Sequence, residues 1–227
     1  MIKKIWRITP SIEESAFPYI ASEEEAYHYV DIFNNKFYTK KKVEQDFPLT
    51  LIYNLKEVDI GRLIFMEQEF WIFTEKAKQA FELLLSDKVE LLPLINRKKA
   101  HKKISYTKQI ILRKAYKPLL EMIHSEPHYL VNILDVKPLE VIDFEKSDFE
   151  YDEEKEEIFM TETLAFHPEK LQNTHLFKIM NHGRALQMST FVSDEFRKVV
   201  EANNLTGLKF IDKPEDEGGN LVWSQSS

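Results

Sequence analysis

Short apolar runs with a period of two dominate the chain, and two segments switch to helical spacing. Ile2–Ile8 alternates as a strand and stops at Pro10. After Pro48, Thr50–Leu55 reads as a strand, followed by Arg62–Met66 and the aromatic run Phe70–Phe73, whose residue types favour β structure. Thr74 then precedes a stretch in which Ala77, Ala80, Phe81 and Leu84 recur on one helical face, and Val89–Ile95 returns to strand. A second set of strands is predicted at His128–Leu134, Leu139–Phe144, Glu157–Glu162 and His175–Met180, with Asn181-His182-Gly183 as a turn. Thr190–Val192 leads into Ser193, a helix with Phe196, Val199 and Val200 on one face, then Gly207 and the strand Leu208–Ile211. Ser22–Phe37 reads as a further helix capped by Ser22.

Strands alternating with only three or four helices predict an α+β fold of mixed or antiparallel sheets, without the regular cadence of a doubly wound parallel sheet. Two stretches repeat one grammar. Shifted by 119 residues, the segment from Trp71 overlays that from Thr190 without a gap: Thr74 meets Ser193, Glu75 meets Asp194, Lys78 meets Arg197 and Glu82 meets Glu201. Each is a strand ending in a hydroxyl N-cap, with acid in the first turn and a cation further on. Two related strand-helix-strand halves, or one generic pattern used twice, both account for this. Either way Thr74 and Ser193 are structural caps, and Gly207 is the backbone device that reverses the chain.

The 227 residues suffice for one domain or two small ones. Hydrophobic residues at 43% and a net charge of −7 describe an ordinary soluble chain that favours a basic partner over free nucleic acid. There is no cysteine, which excludes disulfides and thiolate catalysis and fits a cytoplasmic location. Arg7 and Pro10 interrupt the opening apolar run before it reaches the length of a signal peptide, and no membrane-spanning segment is expected. The five glycines, Gly61, Gly183, Gly207, Gly218 and Gly219, form no phosphate-cradling loop.

No cofactor, metal or catalytic residue is predicted. Among His28, His101, His124, His128, His167, His175 and His182, only His124 and His128 have helical metal spacing, and Pro127 breaks it. Ser147, Ser189 and Ser193 lack the elbow of a serine hydrolase, yet a small Ser/His hydrolase remains one alternative. Another is nucleic-acid binding through the basic block Arg97–Lys117, where nine Lys or Arg stand without an acid and Tyr106 and Tyr116 are interleaved. The charge then reverses. Asp148, Glu150, Asp152, Glu153, Glu154, Glu156 and Glu157 face only Lys155, as a flexible acidic loop or as a patch that meets a basic partner.

The C-terminal part resembles the immunity proteins of bacterial polymorphic toxin systems, of the MXAN-type immunity-domain family. The resemblance rests on Tyr129, Asn132 and Asp135, on the Asp143 to Ser147 step, and on Val192, Ser193, Asp194, Leu205, Thr206, Gly207, Leu208 and Phe210. It is best over 129–211, looser over 70–94, and absent from 1–45. It implies a non-catalytic cytoplasmic protein that binds a cognate secreted toxin domain, with the acidic run on or near the toxin-facing surface. The expected organisation is an N-terminal half (1–120), a C-terminal immunity-type half (121–215) and a solvated tail (216–227), with the two halves open to being one continuous domain.

Overall fold

A computed structural model describes residues 4–10, 17–18, 42–43, 49–52, 58–65, 68–96, 127–152, 157–181, 184–185 and 190–211. The predicted helix at 22–37, the basic block at 97–117 and the tail lie outside the described residues. In chain order the elements are β1 (Ile5–Pro10), β2 (Phe17–Pro18), β3 (Leu49–Ile52), β4 (Ile60–Phe65), β5 (Gln68–Thr74), α1 (Glu75–Leu85), β6 (Val89–Asn96), β7 (His128–Ile133) and β8 (Val136–Lys137). They continue with β9 (Asp148–Asp152), β10 (Glu157–Thr163), β11 (Leu176–Asn181), β12 (Arg184–Ala185), β13 (Phe191–Ser193), α2 (Asp194–Ala202) and β14 (Leu208–Ile211).

Among the described residues the strands form two six-stranded sheets and a hairpin paired with neither, an α+β architecture. The first sheet runs β2-β3-β6-β7-β5-β4; the second runs β12-β11-β13-β1-β14, with β8 alongside β11. Both repeat a single motif. β5 and β6 lie on either side of β7 and are antiparallel to it, so α1 joins two parallel strands across an inserted third. In the second sheet β13 and β14 flank β1 in the same way, and α2 makes the crossover. The sheets therefore interleave across residue 120: β1 belongs with the C-terminal strands, and β7 with the N-terminal ones.

The two motifs agree residue by residue. Phe73 pairs with Tyr129 and Val192 pairs with Trp6, and the 119-residue shift superposes Phe73 on Val192. Tyr129 and Trp6 also make the same contacts. The Tyr129 hydroxyl donates to Glu75 Oε2 at 2.6 Å, and Lys78 Nζ lies 4.6 Å from its ring centroid. The Trp6 indole N–H donates to Asp194 Oδ1 at 2.7 Å, and the Arg197 guanidinium lies 4.3 Å from its ring centroid. An acid at the first helical position and a cation one turn later thus bracket an aromatic ring on the middle strand. The Tyr129 hydroxyl bond, helped by Lys78, holds the Glu75 carboxyl below its usual range.

Both caps form as expected. Thr74 Oγ1 accepts from the Ala77 N–H and Ser193 Oγ from the Phe196 N–H, each at 3.3 Å. Phe81 of α1 stacks on Phe73 at 5.4 Å and on Phe196 of α2 at 4.2 Å, so the helices meet in the main core. A second core lies across the other face of the second sheet, where Phe177, Ile179 and Phe191 meet Val141, Ile142, Leu164, Phe166 and Leu171.

Leu139–Phe144 is not the strand its apolar pattern predicts. Leu139–Val141 is a 3-10 turn after Pro138, and Ile142 makes a lone bridge to Phe166. Leu139, Val141 and Ile142 pack at the second core, while the turn satisfies part of the backbone internally: the Ile142 N–H bonds to the Leu139 carbonyl at 2.9 Å.

A carboxylate fastens the two motifs together. Asp59 accepts from the Thr206 N–H at 3.0 Å, the Thr206 hydroxyl at 3.1 Å and Lys76 Nζ at 3.1 Å. Burial opposes its charge, but these bonds prevail and its pKa falls below 3.8. Because the folded pKa is depressed, the stabilisation is complete above the unfolded value and is lost as pH falls through the folded one. Asp59→Asn should therefore cost about 1–3 kcal/mol at neutral pH, with the deficit shrinking below about pH 4. Urea titrations across pH measure this; a deficit unchanged from pH 7 to 3 contradicts it.

Candidate functional site

The acidic run is built into a hairpin rather than a loop over its described part. Asp148, Glu150 and Asp152 occupy alternate positions of β9, and Glu157 pairs with Asp152 at the far end. Two register shifts interrupt the pairing, between Ile158 and Met160 and between Thr161 and Thr163, so the extra residues are on β10 and β9 stays regular. Glu153, Glu154 and Glu156 lie outside the described residues. The hairpin pairs with neither six-stranded sheet among the described residues.

Its root is tied down by the Asp143 to Ser147 step. The Ser147 hydroxyl donates to the Asp143 carbonyl at 2.7 Å and accepts from the Ala165 N–H at 2.9 Å, while the Asp143 N–H donates to the Ala165 carbonyl at 2.9 Å. One serine thus closes the two chain segments that become β9 and β10. Lys146 pairs with Asp143 at 3.2 Å, and Lys146, despite desolvation of the carboxyl, keeps the Asp143 pKa below its usual value. Phe144, 44% exposed, stands beside this closure. The other resemblance residues are framework: Asn132 is buried and donates to Glu90 Oε2 at 2.9 Å, and Asp135 pairs with Lys137 at 2.7 Å.

The structure does bring a serine and a histidine together. Ser193 Oγ lies 3.0 Å from His175 Nδ1, and Glu195 Oε2 lies 3.9 Å from that same nitrogen. In an acid–base triad the acid and the serine engage opposite ring nitrogens. Here both converge on one, and Ser193 is fully buried with its oxygen already accepting from α2. The arrangement reads as a reinforced helix cap. His128 lies on β7, and His167 Nδ1 meets Glu169 at 3.5 Å. His28, His101, His124, His182 and Ser189 lie outside the described residues. Among the described residues, no group of three or more acids and histidines is placed to hold a metal, and no helix is long and apolar enough to cross a membrane.

One group escaped sequence reasoning. Glu69 and Lys178, each 1% exposed, sit between the two sheets with Thr190 and Trp71. Lys178 Nζ donates to the Glu69 carbonyl at 2.9 Å, the Thr190 hydroxyl donates to Glu69 Oε2 at 2.7 Å, and the Trp71 indole donates to Thr190 Oγ1 at 2.9 Å. Arg62 of β4 approaches Glu69 Oε1 at 3.5 Å. A charged residue inside each of two apolar runs, Gln68–Phe73 and Leu176–Met180, was the available signal.

Comparison with curated proteins gives no match. Residues 120–214, which carry β7 to β14, the closed root of the acidic hairpin and the Ser193 cap, match the model of the immunity protein family Imm11.

Proposed function

We propose that the chain is an immunity protein that neutralises a cognate toxin by stoichiometric protein–protein binding in the cytoplasm, without catalysis. The match of residues 120–214 to the Imm11 family carries this reading. We assign the toxin-facing surface to the hairpin Asp148–Glu157. Its acid-rich strand stands apart from both large sheets, and its root is held by Ser147. An acid-rich segment suits a partner with a basic cleft, such as a nuclease, because its charge steers encounter as well as holding the bound state.

Co-expression with the toxin domain encoded beside this chain should restore growth, and the two should co-purify. Failure of both removes the immunity reading. Charge reversal of Glu150, Glu153 and Glu156 to lysine should lower the association rate at least about tenfold at low salt and flatten its salt dependence. An unchanged on-rate with intact protection would leave the immunity function standing and move the interface elsewhere.

A further inference from the structure

The buried Glu69, Lys178, Thr190 and Trp71 group has a position that the immunity reading does not use. β11 has two faces. Phe177 and Ile179 pack into the second core, against the segments Val141–Ile142 and Leu164–Phe166 that lead into and out of the acidic hairpin. Lys178, between them, points the other way, to β5 of the first sheet. The same strand therefore touches both the first sheet and the platform on which the hairpin stands. Its own backbone is pinned as well, since the Lys178 N–H donates to the Asp135 carbonyl at 3.2 Å.

We propose that this node is a registration lock between the two six-stranded sheets: the Lys178 ammonium on the Glu69 main-chain carbonyl, and the Glu69 carboxylate on the Thr190 hydroxyl, select one placement of β11 and of the entry to β13 against β5, and through β11 one placement of the hairpin root. An apolar interface between two twisted sheets tolerates neighbouring placements of similar energy. A buried charge does not, because any other placement strands it without partners. Among the described residues, the Glu69 carboxylate of β5 favours the charged form of Lys178 and Arg62 of β4 stands behind that carboxylate, while the ammonium's hydrogen bond goes to the Glu69 main-chain carbonyl. Burial, partly offset by Glu69, lowers the Lys178 pKa from 10.5 to about 8, which is the cost of placing an ammonium there. The folded pKa is below the unfolded one, so folding releases a proton between these values and stability rises with pH across that window.

Two experiments on the full chain test the lock. The folding equilibrium constant of the wild type, relative to Lys178→Met, should rise about 10²-fold between pH 7 and 10; a ratio that stays constant with pH overturns the buried-ammonium assignment. For placement, the Trp71 indole N–H gives an NMR resonance inside the node, identified by its loss in Trp71→Phe. In the paired variant Glu69→Leu/Lys178→Met, folding should recover to within about tenfold of wild type while that resonance broadens or splits. A single sharp resonance at the wild-type shift would show that apolar packing alone sets the placement, and the proposal falls. Glu69→Gln, nearly isosteric, carries the same resonance test where the paired variant does not fold.

Discussion

Trp6→Ala should lower the stability of the folded chain by about 3–5 kcal/mol, a large part of what a domain of this size has. Trp6 is 5% exposed in the main core, on the strand of the second sheet that has β13 on one side and β14 on the other. Alanine leaves a cavity beside Phe210, whose ring meets the indole edge-on at 6.2 Å. It also removes the donor to Asp194 and the ring that lies under Lys4 at 3.9 Å and Arg197 at 4.3 Å. The equivalent aromatic gives an internal control. Tyr129→Phe keeps the ring and loses only the hydroxyl bond to Glu75, so it should cost about 0.5–1.5 kcal/mol. Urea unfolding of both variants decides the matter: equal, small losses would mean that the N-terminal strand is peripheral to folding. On the same logic, removing residues 1–10 takes out the strand that joins β13 to β14 and should abolish cooperative folding, although the family match begins only at residue 120.

Gly207→Ala should cost about 3 kcal/mol or more, with an unchanged denaturant slope. Gly207 sits at φ +107, where a side chain is strained, and an added Cβ would come 1.9 Å from the Ile60 carbonyl oxygen. That oxygen is backbone and cannot step aside, because the adjoining Ile60 N–H bonds to the Thr206 carbonyl at 3.0 Å and the preceding Asp59 grips Thr206. Substitution must therefore spread β4 from the entry of β14, and the Asp59 contacts weaken with it. Thr206→Ser, which keeps the hydroxyl, should stay within about 1 kcal/mol of wild type. A loss below 1 kcal/mol for Gly207→Ala would show that the β4–β14 junction yields freely.

Gly207 also shows where local reading stops. As the reversal after a helix it was legible, since glycine between an amphipathic helix and a strand signals positive φ. In the fold, the left-handed residue next to α2 is Asn204, at φ +47. Gly207 instead admits a strand 147 residues away in sequence, counted between Asp59 and Thr206. The acidic run behaves similarly. Its charge was visible, but charge density in one segment does not distinguish a loop from strands. β9 and β10 exist because Ser147 and Ala165 clamp their ends over a core built from β11 and β13.

Residue spacing alone carried the local elements: both helices, both hydroxyl caps, the strands beside them and the 119-residue echo between the two units. These depend on contacts within a turn or two of chain, where periodicity and capping chemistry act directly. The family motif was legible for the same reason, being made of framework residues. Pairing of strands, by contrast, was settled only in three dimensions. Nothing in Ile5–Pro10 says that it fills between β13 and β14 the place that β7 fills between β5 and β6. Nor does one apolar run announce that its single charge will meet the backbone of another run 109 residues distant, as the Lys178 ammonium meets the Glu69 carbonyl. Such choices follow from which faces can be buried together and which polar groups can be satisfied at once, and those conditions exist only when the whole chain is folded.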